Sequence, residues 1–523
     1  MTRGWLLRLL EAAVLACVFM LAFRFPGALG GWLEPALALL FPLLLLEGLF
    51  KGRHAFWTWV AILGGLLLLY QWVPQTLASK GGLPFGLALL GTVLLSLWEA
   101  TGLWLVALGS RWAFRRIGPL AAACVAAFLL MGWETWGFHV YPWTWGAAFG
   151  SLPWPARSAA FLGASGLSAL AWGAGAWAAA HLARGASPRR ILAGPGFAVG
   201  MMLLLGGAWF LLPRDGERTL DVAMIQPNFP AGVRWPGMEA EMWRRSDALL
   251  KARGWPRPGR TTLLLWPESS VLGRDDRHPD LRLSAEAVSR GVAWLFGTEG
   301  GPYNLVRGEA AGRPAFVFAK TEPMPFGERT PGPEPFRRWL DGKMGFVSQE
   351  AGELKEGCAF AVPTPAGDLH VHPLICSEAL LTQRTRRGFE LGHADLLSNH
   401  TNDGWFDRSI ATDLHAAQIR LRATELGVPL LRATLTGKSG VFQEDGHFEL
   451  WGEPLSEGAF AVVLTWRPVH TPARSAWLLP GLMAGLALGT VLLGWKTLGP
   501  VFKVGCGRAR GAAQARQGER RWQ

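Results

Sequence analysis

Seven apolar stretches follow one another in the first part of the chain, at about 5–23, 32–50, 55–73, 84–108, 117–132, 157–182 and 190–212. An eighth runs from 475 to 495. No other feature limits the fold so strongly. In a bilayer the backbone N–H and C=O groups have no water to bond, so each stretch must close its hydrogen bonds internally as a helix. About 20 apolar residues are enough to cross a hydrocarbon core of about 30 Å. The first stretch has the position of a signal peptide. No convincing small-residue cleavage site follows it and more spans come after, so it reads as a retained helix.

The loops between these helices set an orientation. Lys51 and Arg53 lie in the second connection, Arg111, Arg115 and Arg116 in the fourth, and Arg184, Arg189 and Arg190 in the sixth. The odd connections are poorer: Arg24 in the first, Lys80 in the third, and no Lys or Arg between Gly132 and Ala156. Cytoplasmic loops carry the excess of Lys and Arg. Both termini are therefore expected in the cytoplasm and the polar segment between spans seven and eight outside it. The implied domains are 1–212 (membrane helices), 213–474 (a mixed, globular composition), 475–495 (a last span) and 496–523, a tail with seven Lys/Arg against one Glu. Much of the net charge of +12 is thus topological. It argues for contact with anionic lipid rather than with nucleic acid, which is not expected as a partner.

Within 213–474, short apolar runs alternate with helical patterns, the signature of a layered α/β domain. Expected strands are Thr219–Ile225, Thr261–Trp266, Val292–Gly297, Ala315–Ala319, His370–Ile375, Ala394–Ser398, Pro429–Ala433 and Phe460–Thr465. Expected helices are Met238–Arg253, Leu281–Arg290, Glu378–Leu391 and Arg408–Leu426. Three runs end in reactive side chains: LLLWPES at Glu268, AFVFAK at Lys320 and HVHPLIC at Cys376. Sites in α/β sheets commonly lie past the ends of strands. A thiol is nucleophilic as the thiolate, a carboxylate can take its proton, and an ammonium can stabilise an oxyanion. Together they can form a thioester and pass the acyl group on. Singly, each residue is more ordinary: a packed thiol, a solvated carboxylate, a surface cation. Cys358 and Cys376 share the domain, and a disulfide between them would consume the nucleophile. His370 and His372 lack the spacing of further ligands, so no metal or other cofactor is expected.

The flanking residues go further. WPES at 266–269, YN at 303–304, KTEPMPFGE at 320–328, ICSE at 375–378, SNHTNDGWF at 398–406 and HAAQIRLRATELGVPLLRATLTGKSGV at 415–441 resemble the nitrilase superfamily. Within it they are similar to the apolipoprotein N-acyltransferases of Gram-negative bacteria. GGLP at 81–84 and WETWGF at 133–138 extend the resemblance over nearly the whole chain.

The resemblance implies an extracytoplasmic αββα sandwich joined to a multi-span inner-membrane domain. It implies Glu268 as general base, Lys320 as oxyanion stabiliser and Cys376 as nucleophile, with Glu328 supporting the lysine and Glu378 as a further functional acid. It places Trp235 on a substrate-access loop, and Asn402, Asp403 and Trp405 near the site. The implied partners are a phospholipid acyl donor, phosphatidylethanolamine in the family, and diacylglyceryl-modified apolipoproteins. The sequence departs from the family pattern at Ser377, commonly an aromatic, at His400–Asp403 (HTND), and at TLTGKSG. These departures bear on the acyl substrate. A membrane-tethered amidase, a divergent paralogue with another acyl substrate and a non-enzymatic lipoprotein-binding module stay open on residues alone. Eight spans favour an enzyme whose substrates are both lipid-anchored.

Overall fold

The structure is a computed structural model and describes residues 2–24, 31–229, 237–271, 291–300, 302–344, 348–475 and 481–492. The helical part comprises α1 (Thr2–Arg24), α2 (Leu33–Phe50), α3 (Ala55–Leu69), α4 (Val73–Ser79), α5 (Phe85–Arg116), α6 (Pro119–Trp136), α7 (Pro153–Ala183) and α8 (Pro188–Ala208). Six described helices are long and apolar enough to cross a membrane, and α3 with α4, bent by 46°, makes a seventh if the pair is one span. The protein is a multi-pass membrane protein. The apolar helix α13 (Gly481–Leu492) lies within the expected eighth span and its flanks fall outside the described residues.

Punctuation fixes the helix ends. Pro119, Pro153 and Pro188 begin α6, α7 and α8, where a missing N–H costs nothing. Arg115 and Arg116 close α5, complementing the negative end of its dipole. The sixth stretch is long because α7 is broken: Gly163 stands at φ +66°. The break frees the N–H of Ala164, which donates to Glu425 Oε1 at 2.7 Å, a residue of the globular part.

The connections poor in Lys and Arg meet the globular part. Thr76 of α4 donates to the Trp405 carbonyl, the Thr144 N–H donates to Gln418, and Arg157 pairs with Asp445. Among the described residues, no hydrogen bond or ion pair joins an arginine-rich turn to the globular part.

That part holds two six-stranded sheets. The first has the order β12-β1-β2-β3-β4-β5, with β1 Arg218–Gln226, β2 Thr262–Leu265, β3 Val292–Gly300, β4 Tyr303–Glu309, β5 Phe316–Ala319 and β12 Gly458–Trp466. The second has the order β11-β10-β9-β8-β7-β6, with β6 Phe360–Thr364, β7 Gly367–Ile375, β8 Leu396–Thr401, β9 Leu430–Thr434, β10 Ser439–Phe442 and β11 Phe448–Gly452. Val222, Leu263 and Leu295 pack against Phe360, Val371 and Leu431 in the core between the sheets. Helix α9 (Met238–Ala252) covers the first sheet, with Met242 against Leu264 and Trp266. Helices α11 (Thr382–Leu391) and α12 (Ala411–Leu426) cover the second, and their core runs on into α1, α2 and α7 through Phe19, Phe41 and Trp172. The result is a nitrilase-like four-layer sandwich seated on a membrane bundle.

Strands β1, β2 and β3 are mutually parallel, as are β7, β8 and β9. Strand β5 is antiparallel to β4, itself antiparallel to β3, so β5 ends at the same edge as β3. Each expected strand has its counterpart. Strands β4, β6, β10 and β11 and helix α10 (Glu334–Met344) were not expected. The expected helix Glu378–Leu391 begins only at Thr382, because Glu378 turns back to accept the Ile375 N–H at 2.8 Å and holds 376–380 as a 3-10 turn. The helix expected at Leu281–Arg290 lies outside the described residues.

Candidate active site

Glu268 follows β2, Lys320 follows β5 and Cys376 follows β7, so two sheets supply the three side chains. Strands β2 and β5 run in the same direction within the first sheet, and the three side chains meet at one edge of the sandwich. Each is close enough to the others for their charges to act on one another. Glu268 and Lys320 are sealed from solvent, whereas Cys376 retains partial exposure. Cys358 and Cys376 are both free thiols.

Glu268 is held at both oxygens. Asn304 Nδ2 donates to Oε1 at 2.7 Å and the Asn402 backbone N–H donates to Oε2 at 2.8 Å. Its turn is seated on Gly297: a Cβ there would lie 2.5 Å from the Glu268 Cα. His400 fixes the approach to that turn, with Nδ1 2.7 Å from the Trp266 carbonyl and Nε2 3.0 Å from Ser398 Oγ. Burial lowers the His400 pKa to about 4, so the ring is neutral and bridges the sheets without adding charge.

Lys320 Nζ donates to Glu328 Oε1 at 2.8 Å and lies 2.7 Å from Oε2. Glu328 also accepts from the Met324 N–H at 2.6 Å, so the loop carrying it is anchored by the same carboxylate. It therefore faces the lysine, and Arg329 approaches Glu350 instead. Glu378 joins the sheets on the other side: its Oε1 accepts from the Thr321 N–H at 2.6 Å and from Thr321 Oγ1 at 2.7 Å.

The electrostatics follow from burial first. Burial pushes the Glu268 carboxyl above the usual carboxylate range; Lys320 opposes that and Glu328 adds to it. Burial also pushes the Cys376 thiol well up, with the Glu268 charge adding and Lys320 opposing. Burial alone would disfavour the Lys320 ammonium, but Glu328, Cys376 and Glu268 together hold it above its ordinary value. The resting arrangement is thus a thiol beside an ammonium and a carboxyl group whose proton affinity is raised.

Cys376 sits at φ +52°, a left-handed conformation uncommon for a residue with a Cβ. Asn399 Nδ2 holds it there, donating to the Cys376 and Leu374 carbonyls at 3.1 Å each. Ser377 beside it is buried.

The remaining expected residues divide. The Asn402 backbone reaches Glu268, while its side chain accepts from the Gly404 N–H at 3.1 Å. Asp403 is buried with its oxygens engaged by Arg432 (2.7 Å) and His415 (3.0 Å). That geometry supports the site from behind. Burial opposes the Asp403 charge, but Arg432 and His415 prevail and hold its pKa down to about 2. Trp405 is partly exposed at the junction with α4, and Phe406 packs on Trp72 with ring centroids 5.1 Å apart. Trp235 lies outside the described residues. Thr321, Asn399, His415 and Arg432, like Asn304, lie in motifs that the sequence analysis quoted without giving them a role. Arg432 left one trace: a cation inside the apolar run LLRAT.

Comparisons with known proteins point to one family. Residues 326–454 match the family described as carbon-nitrogen hydrolase. An apolipoprotein N-acyltransferase of Rhodopseudomonas palustris is 30% identical over 67% of this chain and 68% of its own length. One of Chromobacterium violaceum is 28% identical over 94% of this chain and 95% of its own. One of Azotobacter vinelandii is 28% identical over 88% and 90%.

Proposed function

The chain belongs to the apolipoprotein N-acyltransferase family, and from that premise we propose that it moves a fatty acyl group from a phospholipid to the free α-amine of a diacylglyceryl-cysteine at a lipoprotein N-terminus. The reaction runs in two halves through a thioester on Cys376. In the first, Glu268 takes the thiol proton as Sγ attacks the ester carbonyl of the donor. The oxyanion forms beside the Lys320 ammonium, which Glu328 keeps aimed and charged. The ester C–O bond breaks, Glu268 returns the proton to the departing oxygen, and a lysophospholipid leaves. In the second half the amine attacks the thioester carbon. Glu268 accepts the amine proton and returns it to the sulfur. An amide and the free thiol result, and atoms and charge balance with no metal or cofactor.

The observation that carries this reading is the placement of the Glu268, Lys320 and Cys376 cluster at the strand ends of a sandwich that is itself seated on a membrane bundle. Both proposed substrates are lipid-anchored, and a site held at the bilayer surface reaches them without extracting either. Phosphatidylethanolamine is the donor proposed. The loop charges favour both termini in the cytoplasm and the sandwich on the far side, which the family resemblance makes the periplasmic face of the inner membrane.

Intact-protein mass spectrometry after incubation with phosphatidylethanolamine vesicles tests the reading. An acyl adduct on Cys376 that a lipopeptide with a free α-amine discharges is the expected result. Absence of the adduct, or discharge by water at the same rate, refutes it. Cys376→Ala is expected to abolish transfer, and persistence of N-acylation would refute the site.

A further inference from the structure

Cys376 and Glu268 stand on different sheets. Behind both lies Arg432, on β9, fully buried. Its Nη1 donates to Asn399 Oδ1 at 2.6 Å, and Asn399 Nδ2 in turn holds the Cys376 carbonyl. Its Nη2 donates to Asp403 Oδ2 at 2.7 Å, on the turn whose neighbouring Asn402 N–H holds Glu268 Oε2. Its Nε donates to the Lys438 carbonyl at 3.2 Å, so the guanidinium plane is pinned by a third contact. A Cβ on Gly437 would lie 2.0 Å from Asp403 Oδ2, so glycine there is what leaves space for the carboxylate at this position.

We infer that Arg432 is a positioning residue for the acyl transfer: its planar fork joins the nucleophile's backbone to the base's backbone donor and so fixes Cys376 relative to Glu268. The inference rests on the roles proposed above for those two residues. An arginine is required because one rigid group must serve two acceptors in different directions; a lysine ammonium provides a charge without the fork. The demand is steric as well as electrostatic. Cys376 is held in a conformation that surrounding contacts must impose, and a displacement of about 1 Å in a reacting group can cost about 10²-fold in rate. The two arms are separable. Asn399 serves only the nucleophile. The Asn402 N–H serves only the base, where its hydrogen bond favours the ionised carboxylate. The other groups acting on Glu268 are Lys320, Glu328, Asn304 and Cys376; among the described residues Arg432 has no hydrogen bond to the first three and reaches Cys376 only through Asn399.

The test compares Arg432→Lys and Asn399→Ala with the wild type in the full-length protein. The rate of thioester formation from phosphatidylethanolamine is followed by intact mass across pH, alongside thermal melting. Arg432→Lys is expected to form the thioester about 10²-fold more slowly, with its acid limb moved to higher pH because Glu268 loses a fixed donor. Asn399→Ala is expected to slow it with the acid limb unmoved. A folded Arg432→Lys at the wild-type rate overturns the inference. So does a loss in both variants that only follows the fraction unfolded, with identical limbs. Absence of a thioester in the wild type would remove the functional reading as well; a normal wild-type thioester with unaffected variants removes this inference alone.

Discussion

Glu328→Gln separates a lysine that is merely present from one that is aimed. Lys320 is 1% exposed and contacts both oxygens of Glu328, which is itself only 17% exposed. Glutamine keeps an acceptor for the Met324 N–H, so the loop has reason to stay in place. What it removes is the counter-charge. Truncating one partner of a buried ion pair costs about 3–5 kcal/mol, and here the lower figure applies because Glu268 remains as a second counter-charge. If that loss falls on the aim of the ammonium at the oxyanion, about 3 kcal/mol is roughly a 10²-fold slower acylation. The assay is single-turnover thioester formation on Cys376 from phosphatidylethanolamine vesicles. Glu328→Gln, Lys320→Met and the double variant complete a cycle. If Glu328 acts through Lys320, the double variant is no slower than Lys320→Met. A second readout follows from the sign of the charge. Glu328 raises the proton affinity of Glu268, so its neutralisation moves the acid limb to lower pH. A Glu328→Gln rate within about threefold of wild type, or additive losses in the cycle, refutes the reasoning.

Other perturbations give independent checks. Gly297→Ala drives a methyl to 2.5 Å from the Glu268 Cα, and acylation is expected to fall about 10²-fold; a wild-type rate would refute the backing role of Gly297. Asp403 has its pKa depressed to about 2, so its contribution to stability is complete above the ordinary value of 3.8 and is lost as pH falls through about 2. That contribution is about 2 kcal/mol, and denaturation of Asp403→Asn in detergent is expected to lack this acid loss. Glu425→Ala removes the acceptor of the Ala164 N–H at the break in α7 and leaves the buried Arg422 without its carboxylate. A loss of about 3–5 kcal/mol is expected, read as a lower melting temperature; an unchanged one would refute the coupling of α12 to α7.

How much of this was legible in the sequence depended on the range of the signal. Long apolar runs locate membrane helices because the backbone must bond itself wherever water is absent. They also misplaced the ends of α5 and α6, since apolar composition does not stop where a helix does. Alternating runs located the central strands, which are buried on both faces. They missed β4, β6, β10 and β11, of which the last two form a hairpin of only four and five residues. Three reactive side chains at strand ends pointed to one edge. The resemblance of WPES, PFGE and ICSE implies roles that composition and spacing left open.

The sequence by itself determined which segments are apolar enough to enter a membrane, which turns carry positive charge, and which thiol, carboxylate and ammonium are candidates for chemistry. These are properties of single residues and of short periods along the chain. Tertiary structure alone decided that Asn304 and Asn402 hold Glu268, that Glu378 ties Thr321 to Ile375, and that Arg432 reaches both Asn399 and Asp403. The physical reason is that a hydrogen bond between strands of different sheets depends on register and on the approach of two layers, and neither leaves a period in the sequence. A buried charge such as Arg432 announces that it must have partners; only the packing says which ones.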